Sequence, residues 1–284
     1  MNYMPQVMNY LSATEDIREL YLVPNAFIME KREGKLIRVS DAVLSPEDIR
    51  DTLVALRSHT PFAPGPIGRE GMFSFGVHNV GRFRVSYITQ RGSYVVHIIR
   101  TPYHIPQLSQ LCSDKNTIAQ LDELIRLNHA GLVLFTGKNQ VRVNTFVYSL
   151  LQYICMNYSK VIFVLERPLT FLLKHGQSLV IQREVGVDVE NFREGLKDAF
   201  YMKPDILFVS YGDVEPVEEL WHIIKLLGAD TLSLVSFSSL ELKIIKKELG
   251  ELSFYIKAVV EVEEDTEGFK ARLLNIPHQA QESH

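Results

Sequence analysis

Gly131-Leu-Val-Leu-Phe-Thr-Gly137-Lys-Asn-Gln-Val-Arg-Val-Asn-Thr145 is the stretch around which the chain is organised. The apolar run after Gly131 reads as a buried strand, Gly137 opens a tight turn, and a helix is expected over 144–157. The same alternation continues on both sides. Further helices are expected over 118–128, 190–202, 215–227 and 239–249. Strands are expected over 131–136, 160–166, 179–183, 205–211 and 231–236. In the segment 190–202, Phe192, Leu196, Ala199 and Phe200 share one helical face. Near-continuous apolar strands separated by helices argue an α/β unit with a mostly parallel sheet covered on both faces. Residues 254–262 and 268–274 form a final pair of strands around an acidic turn of Glu261, Glu263, Glu264 and Asp265.

The first hundred residues differ in pattern. Short strands at 20–23, 26–29 and 36–39 surround the charged turn Lys31-Arg-Glu-Gly-Lys35. Ser45-Pro46-Glu47-Asp48 starts a helix, with a hydroxyl cap, a proline in the first turn and acids at the positive dipole end. Ile49, Leu53 and Leu56 follow at helical spacing, and the helix should stop near His59. A proline- and glycine-rich loop, 60–69, precedes a meander over 71–100. Residues 1–100 are therefore a small α+β domain, 101–117 a linker, 118–276 the α/β domain and 277–284 a polar tail.

The bulk properties narrow the function classes. The 284 residues carry a formal net charge of −4, so nucleic acid is not favoured as a partner. Cys112 and Cys155 are the only cysteines and read as buried thiols in a reducing compartment. Met1–Ser12 lacks the basic and apolar regions of a secretory signal. No window is apolar enough to span a membrane. The chain is expected to be cytoplasmic. Its histidines show no metal-binding spacing, and no metal site is expected.

The turn after Gly137 invites comparison with the phosphate-binding loop, Gly, four residues, then Gly-Lys-Ser/Thr. Gly137 supplies the first glycine. The second glycine falls on Arg142, the lysine on Val143 and the hydroxyl on Asn144. Lys138, Asn139, Gln140, Val141 and Thr145 complete this loop.

Three segments then resemble the type IV pilus retraction ATPases of the secretion-ATPase superfamily. They are Gly81-Arg-Phe-Arg-Val-Ser with Gln90-Arg-Gly92, Gly131 to Gly137, and Gln182-Arg-Glu-Val-Gly186 followed by Asp188, Phe192 and Lys203-Pro-Asp205-Ile-Leu. The resemblance covers most of residues 14–245. It implies a PAS-like N-terminal domain, a RecA-like P-loop NTPase domain and a hexameric ring. It also implies departures. The end of the family's Walker B strand, Gly-Glu, becomes Ser210-Tyr211. The acidic box keeps only Glu166 of three acids. The two histidines of the histidine box fall near Asp230 and Phe237. Little of the family's C-terminal helical region is expected.

Phosphoryl transfer is mostly positioning and charge neutralisation. Val143 cannot donate to phosphate, Arg142 crowds a glycine position, and Tyr211 cannot polarise water as a carboxylate does. Losing one such contact typically costs roughly 3–4 kcal/mol, or ~10²–10³ in rate. The expectation is a pseudo-ATPase with vestigial Glu166 and Tyr211 and no bound cofactor, acting as a regulatory or scaffolding subunit of a pilus or secretion machine. It would form homo-oligomers or join a complete motor ATPase and, through partners, sit peripherally at the inner face of the membrane. One alternative is an active hexameric ATPase binding ATP and Mg²⁺ through an irregular loop, with Lys138 or Arg142 as the phosphate cation. Another is a stand-alone interaction module. Lys138 and Arg142 also fit as plain solvated cations, and Glu166 as a strand-end acid paired with Arg183 or Arg167. By the resemblance, Arg82, Arg84 and Arg100 would reach a neighbour's nucleotide; interdomain salt bridges are the simpler alternative. Trp221 reads as core or interface.

Overall fold

Two sheets, each with its own core, organise the chain, one in Met1–His104 and the other in Ile105–His284. The computed structural model describes residues 1–13, 17–32, 34–60, 66–112, 114–127, 130–211, 216–237, 242–265 and 268–274. Residues 61–65 of the proline-rich loop and the tail from 277 lie outside the described residues.

The first unit runs α1 (Met4–Ser12), β1 (Arg18–Leu22), β2 (Met29–Arg32), β3 (Lys35–Arg38), α2 (Pro46–Arg57), β4 (Glu70–Val77), β5 (Gly81–Gln90) and β6 (Ser93–Pro102). Its sheet has the order β3-β2-β1-β6-β5-β4 and is antiparallel throughout. The start of α2 is as expected. Ser45 Oγ accepts from the Asp48 N–H, and the Asp48 carboxylate accepts from the Ser45 N–H at 2.8 Å, a reciprocal cap. Ile49, Leu53 and Leu56 are buried in a core with Leu20, Phe83, Val96 and Ile98. Ser45→Ala should cost about 1 kcal/mol, read as a lower urea midpoint at unchanged slope.

Helix α1 was not foreseen, although Met4, Val7, Met8 and Leu11 carry helical spacing and Val7 and Leu11 are buried. Strand β2 starts at Met29, not Ala26. Asn25 takes a left-handed conformation (φ 60°), and the Ala26 carbonyl accepts from Leu44, so residues 25–28 turn before the strand begins.

The second unit runs α3 (Leu108–Leu111), α4 (Lys115–Arg126), β7 (Gly131–Thr136), α5 (Gln140–Asn157), β8 (Val161–Glu166), β9 (Leu179–Glu184), α6 (Phe192–Met202), β10 (Ile206–Ser210), α7 (Pro216–Leu227), β11 (Leu232–Phe237), α8 (Leu242–Leu249), β12 (Ile256–Asp265) and β13 (Gly268–Leu274). The sheet order is β13-β12-β7-β11-β10-β8-β9. Every neighbouring pair is parallel except the β12–β13 hairpin. One face is covered by α3, α4 and α5 and the other by α6, α7 and α8, as the continuous apolar strands require.

The expected linker 101–117 is largely folded. Thr101 and Pro102 close β6, while Leu108, Leu111 and Cys112 are buried in the second unit's core. Asp114 caps α4, so the helix begins at Lys115 and not at 118. In α6, Leu196 and Ala199 face the core, but Phe200 is 47% exposed, off the expected face. The open edge of β9 is blunted at both ends. His175 Nδ1 accepts from the Val180 N–H, and the Asp188 carboxylate accepts from the Glu184 N–H. Both cysteines are buried free thiols, and burial pushes Cys155 up to about 11.

Candidate functional site: a buried polar row under α5

In a parallel sheet, residues in register point the same way. Glu166 on β8 pairs with Ser210 on β10, and Ser210 with Ser236 on β11. All three are buried. They form one polar row at the C-terminal ends of three adjacent strands.

Helix α5 meets this row because it begins a turn earlier than expected, at Gln140 and not at 144. The cause is Asn139. Its side-chain oxygen accepts from the N–H groups of Val141 (3.1 Å) and Arg142 (3.3 Å), capping the helix. The early start makes Gln140, Asn144 and Tyr148 helical residues at four-residue spacing, one polar stripe on an otherwise apolar face.

Stripe and row interlock. The Gln140 amide donates to Asn144 Oδ1 (3.1 Å), Ser210 Oγ (3.2 Å) and Ser236 Oγ (2.9 Å). The Asn144 amide donates to Glu166 Oε1 (2.6 Å) and Ser210 Oγ (2.8 Å), while its oxygen accepts from the hydroxyls of Ser210 and Ser236. Glu166 accepts further from the Tyr148 hydroxyl (2.7 Å), the Thr170 N–H (2.7 Å) and the Thr170 hydroxyl. A buried carboxylate is tolerable only with donors of this number and quality. Gln140 Oε1 is left buried without a hydrogen-bond partner.

The remaining loop residues have other tasks. A side-chain carbon at Gly137 would collide with the Val262 carbonyl oxygen of β12 and lie 2.9 Å from Val143 Cγ2. Gly137 is thus a close-packing glycine. Val143 is fully buried beneath it, in the core. Thr145 is buried and donates to the Val141 carbonyl. Lys138 and Asn139 are exposed, and Val141 and Arg142 are half-buried. Arg142 lies in the first turn of α5, not in the loop.

Tyr211 is not brought to Glu166. Strand periodicity turns it to the opposite face, where it is buried between Phe192 (ring centroids 4.7 Å apart) and Phe237 (5.6 Å). Burial pushes its phenol well above the ordinary range, with the Glu219 carboxylate adding to the shift. Ser210 takes the place beside Glu166. Arg183 is not the partner expected for Glu166; it pairs with Asp198 and the Asp188 carbonyl. Arg167 is exposed.

The three arginines divide between the faces of the first sheet. Arg82 and Arg84 are half-buried on one face, and Arg82 donates to Ser74 Oγ at 2.7 Å. Arg100 pairs in register with Phe83 and so lies on the other face, 1% exposed, donating through Nε to the Val80 carbonyl at 3.1 Å.

The helix N-terminus that would hold phosphate is capped by Asn139, the lysine position is a core valine, and the only carboxylate of the row is committed to internal donors. Among the described residues, no group of three or more His, Cys, Asp or Glu side chains is placed to hold a metal. No described helix is long and apolar enough to cross a membrane. Sequence reasoning missed Tyr148, Thr170 and Ser236. The signals were present: polar residues every fourth place in an apolar helix, and a serine closing each of the runs 206–210 and 232–236.

Comparison with known proteins bears on this geometry. The chain is 27% identical over 194 residues to the type IV pilus ATPase PilU of Pseudomonas aeruginosa, covering 68% of this chain and 49% of that one. It is 32% identical over 149 residues to the retraction ATPase PilT of the same organism, covering 52% and 41%. The chain is a homologue of the type IV pilus ATPases. It spans about half the length of these curated relatives or less. No family model matches it. The fold agrees with the crystal structure of the pilus retraction motor PilT with bound ADP, at TM-score 0.71 and 22% identity, covering 98% of this chain and 84% of that one. The ATPase DotB of Legionella pneumophila gives TM-score 0.68 at 17% identity, covering 95% and 78%.

Proposed function

We propose that this chain is a non-hydrolysing relative of the pilus retraction motors, a regulatory or scaffolding subunit of a type IV pilus or related secretion machine. It would work in an oligomer, with itself or with a complete motor ATPase. One observation carries the proposal. The stripe Gln140–Asn144–Tyr148 satisfies the row Glu166–Ser210–Ser236, which supports a site closed on itself over one kept open for a nucleotide and its metal. Binding nucleotide there would mean breaking several buried hydrogen bonds, each worth about 0.5–1.5 kcal/mol net and more at the charged Glu166.

The test is calorimetric titration with Mg-ATP and Mg-ADP, with thermal unfolding alongside. A ligand that binds only the folded state raises its apparent stability by mass action. The expected result is no heat of binding and no shift in Tm up to millimolar nucleotide, with retention of a complete motor ATPase on the immobilised chain. Micromolar binding together with phosphate release that follows this chain through repurification would overturn the proposal.

A further inference from the structure

Helix α7 buries Leu220, Ile223, Ile224 and Leu227 and leaves Glu218, Trp221 and Lys225 exposed, with His222 half-buried beside them. Spacings of three and four place these residues on one stripe. Trp221 is the only tryptophan of the chain and is 41% exposed. Beside it opens a groove of about 550 Å³ lined by Arg193, Val217, Glu218, Trp221, His222 and Glu248.

The stripe is self-complementary. Glu218 and Lys225 lie equally far from the midpoint between Trp221 and His222. A second α7 laid antiparallel across it, about a two-fold axis through that midpoint, sets each Glu218 opposite a Lys225 and each Trp221 beside a His222. The two charges are about 10 Å apart along the helix, the same span on both copies, so both ion pairs close together. We propose that α7 forms the contact of an isologous dimer, with Trp221 at its centre.

A second copy of this chain is the occupant because charge complementarity of this kind, reversed about a midpoint, is what a two-fold contact requires of a single surface. Aromatic side chains at the centre of such a patch, ringed by polar groups, carry most of the binding energy. The present partners of the stripe are surface interactions that yield at little cost. Glu218 pairs with Arg193 at 3.0 Å with both side chains exposed, and the Lys225 ammonium lies 3.6 Å from the Trp221 ring centroid. The inference is independent of nucleotide binding.

The single tryptophan supplies the readout. Sedimentation and tryptophan emission are followed together from roughly 1 to 200 µM protein, a range suited to micromolar association. The expected result is a doubling of mass accompanied by a blue shift as Trp221 is buried. Glu218→Lys and Lys225→Glu should each weaken the dimer at least about tenfold by setting like charges opposite one another, and the double variant E218K/K225E should restore it. Both substitutions fall on exposed side chains, and circular dichroism checks the folding of all three variants. Mass and emission that ignore concentration would overturn the proposal. So would association that neither single reversal weakens, or a double variant no better than the singles.

Discussion

Glu166→Ala should lower the free energy of unfolding by about 3–5 kcal/mol, the range for breaking a buried charged network by removing one member. The carboxylate accepts from Asn144, Tyr148 and both the N–H and hydroxyl of Thr170. Deleting it strands these donors in a buried site, and each unsatisfied group costs about 1–3 kcal/mol. Glu166→Gln keeps one acceptor and turns its amide towards other donors, so an intermediate loss is expected. Urea denaturation measures both. For a unit of this size a loss of that order moves Tm by roughly 10 °C. If Glu166→Ala changed stability by less than about 1 kcal/mol, the polar row would not be a closed network and the site would be open to solvent.

Gly137→Val should cost about 2–4 kcal/mol, because over-packing forces backbone or side chains out of place. A side chain at 137 would meet the Val262 carbonyl of β12 and the buried Val143 of α5. Backbone stands on one side and a fully packed residue on the other, so neither yields easily. Two roles for this glycine are separated by the result. A glycine kept only to let backbone wrap a ligand would change ligand binding and leave the stability of the ligand-free protein nearly untouched. A glycine kept for packing loses stability with no ligand present, and that is the outcome expected here.

The loop from Gly137 to Thr145 shows how far the sequence could be read. Its strand, turn and helix follow from the apolar run and the glycine. The start of the helix does not. A phosphate-loop alignment sets the helix start at 144, whereas the Asn139 cap starts it at Gln140. The shift by one turn converts Gln140 from a loop residue into the first member of a helical stripe. Asn144 and Ser210 stand where the resemblance places other residues, and Glu166 is the acid that is kept. That these three bond to one another depends on the register of β8, β10 and β11. Tyr211 was grouped with Glu166, yet lies on the opposite face of the sheet for the same reason.

The sequence alone determined the two-part architecture, the parallel sheet with both faces covered and the capped start of α2. These are matters of local chemistry: periodicity, capping and the identity of a side chain are properties of neighbours along the chain. Tertiary structure alone decided that the polar remnants of the loop close into one buried network, that Arg100 lies on the face opposite Arg82 and Arg84, and that Trp221 stays exposed. Each depends on residues distant in sequence arriving on the same side of a sheet or helix. Strand register and helix phase, set by the packing of the whole unit, determine that side.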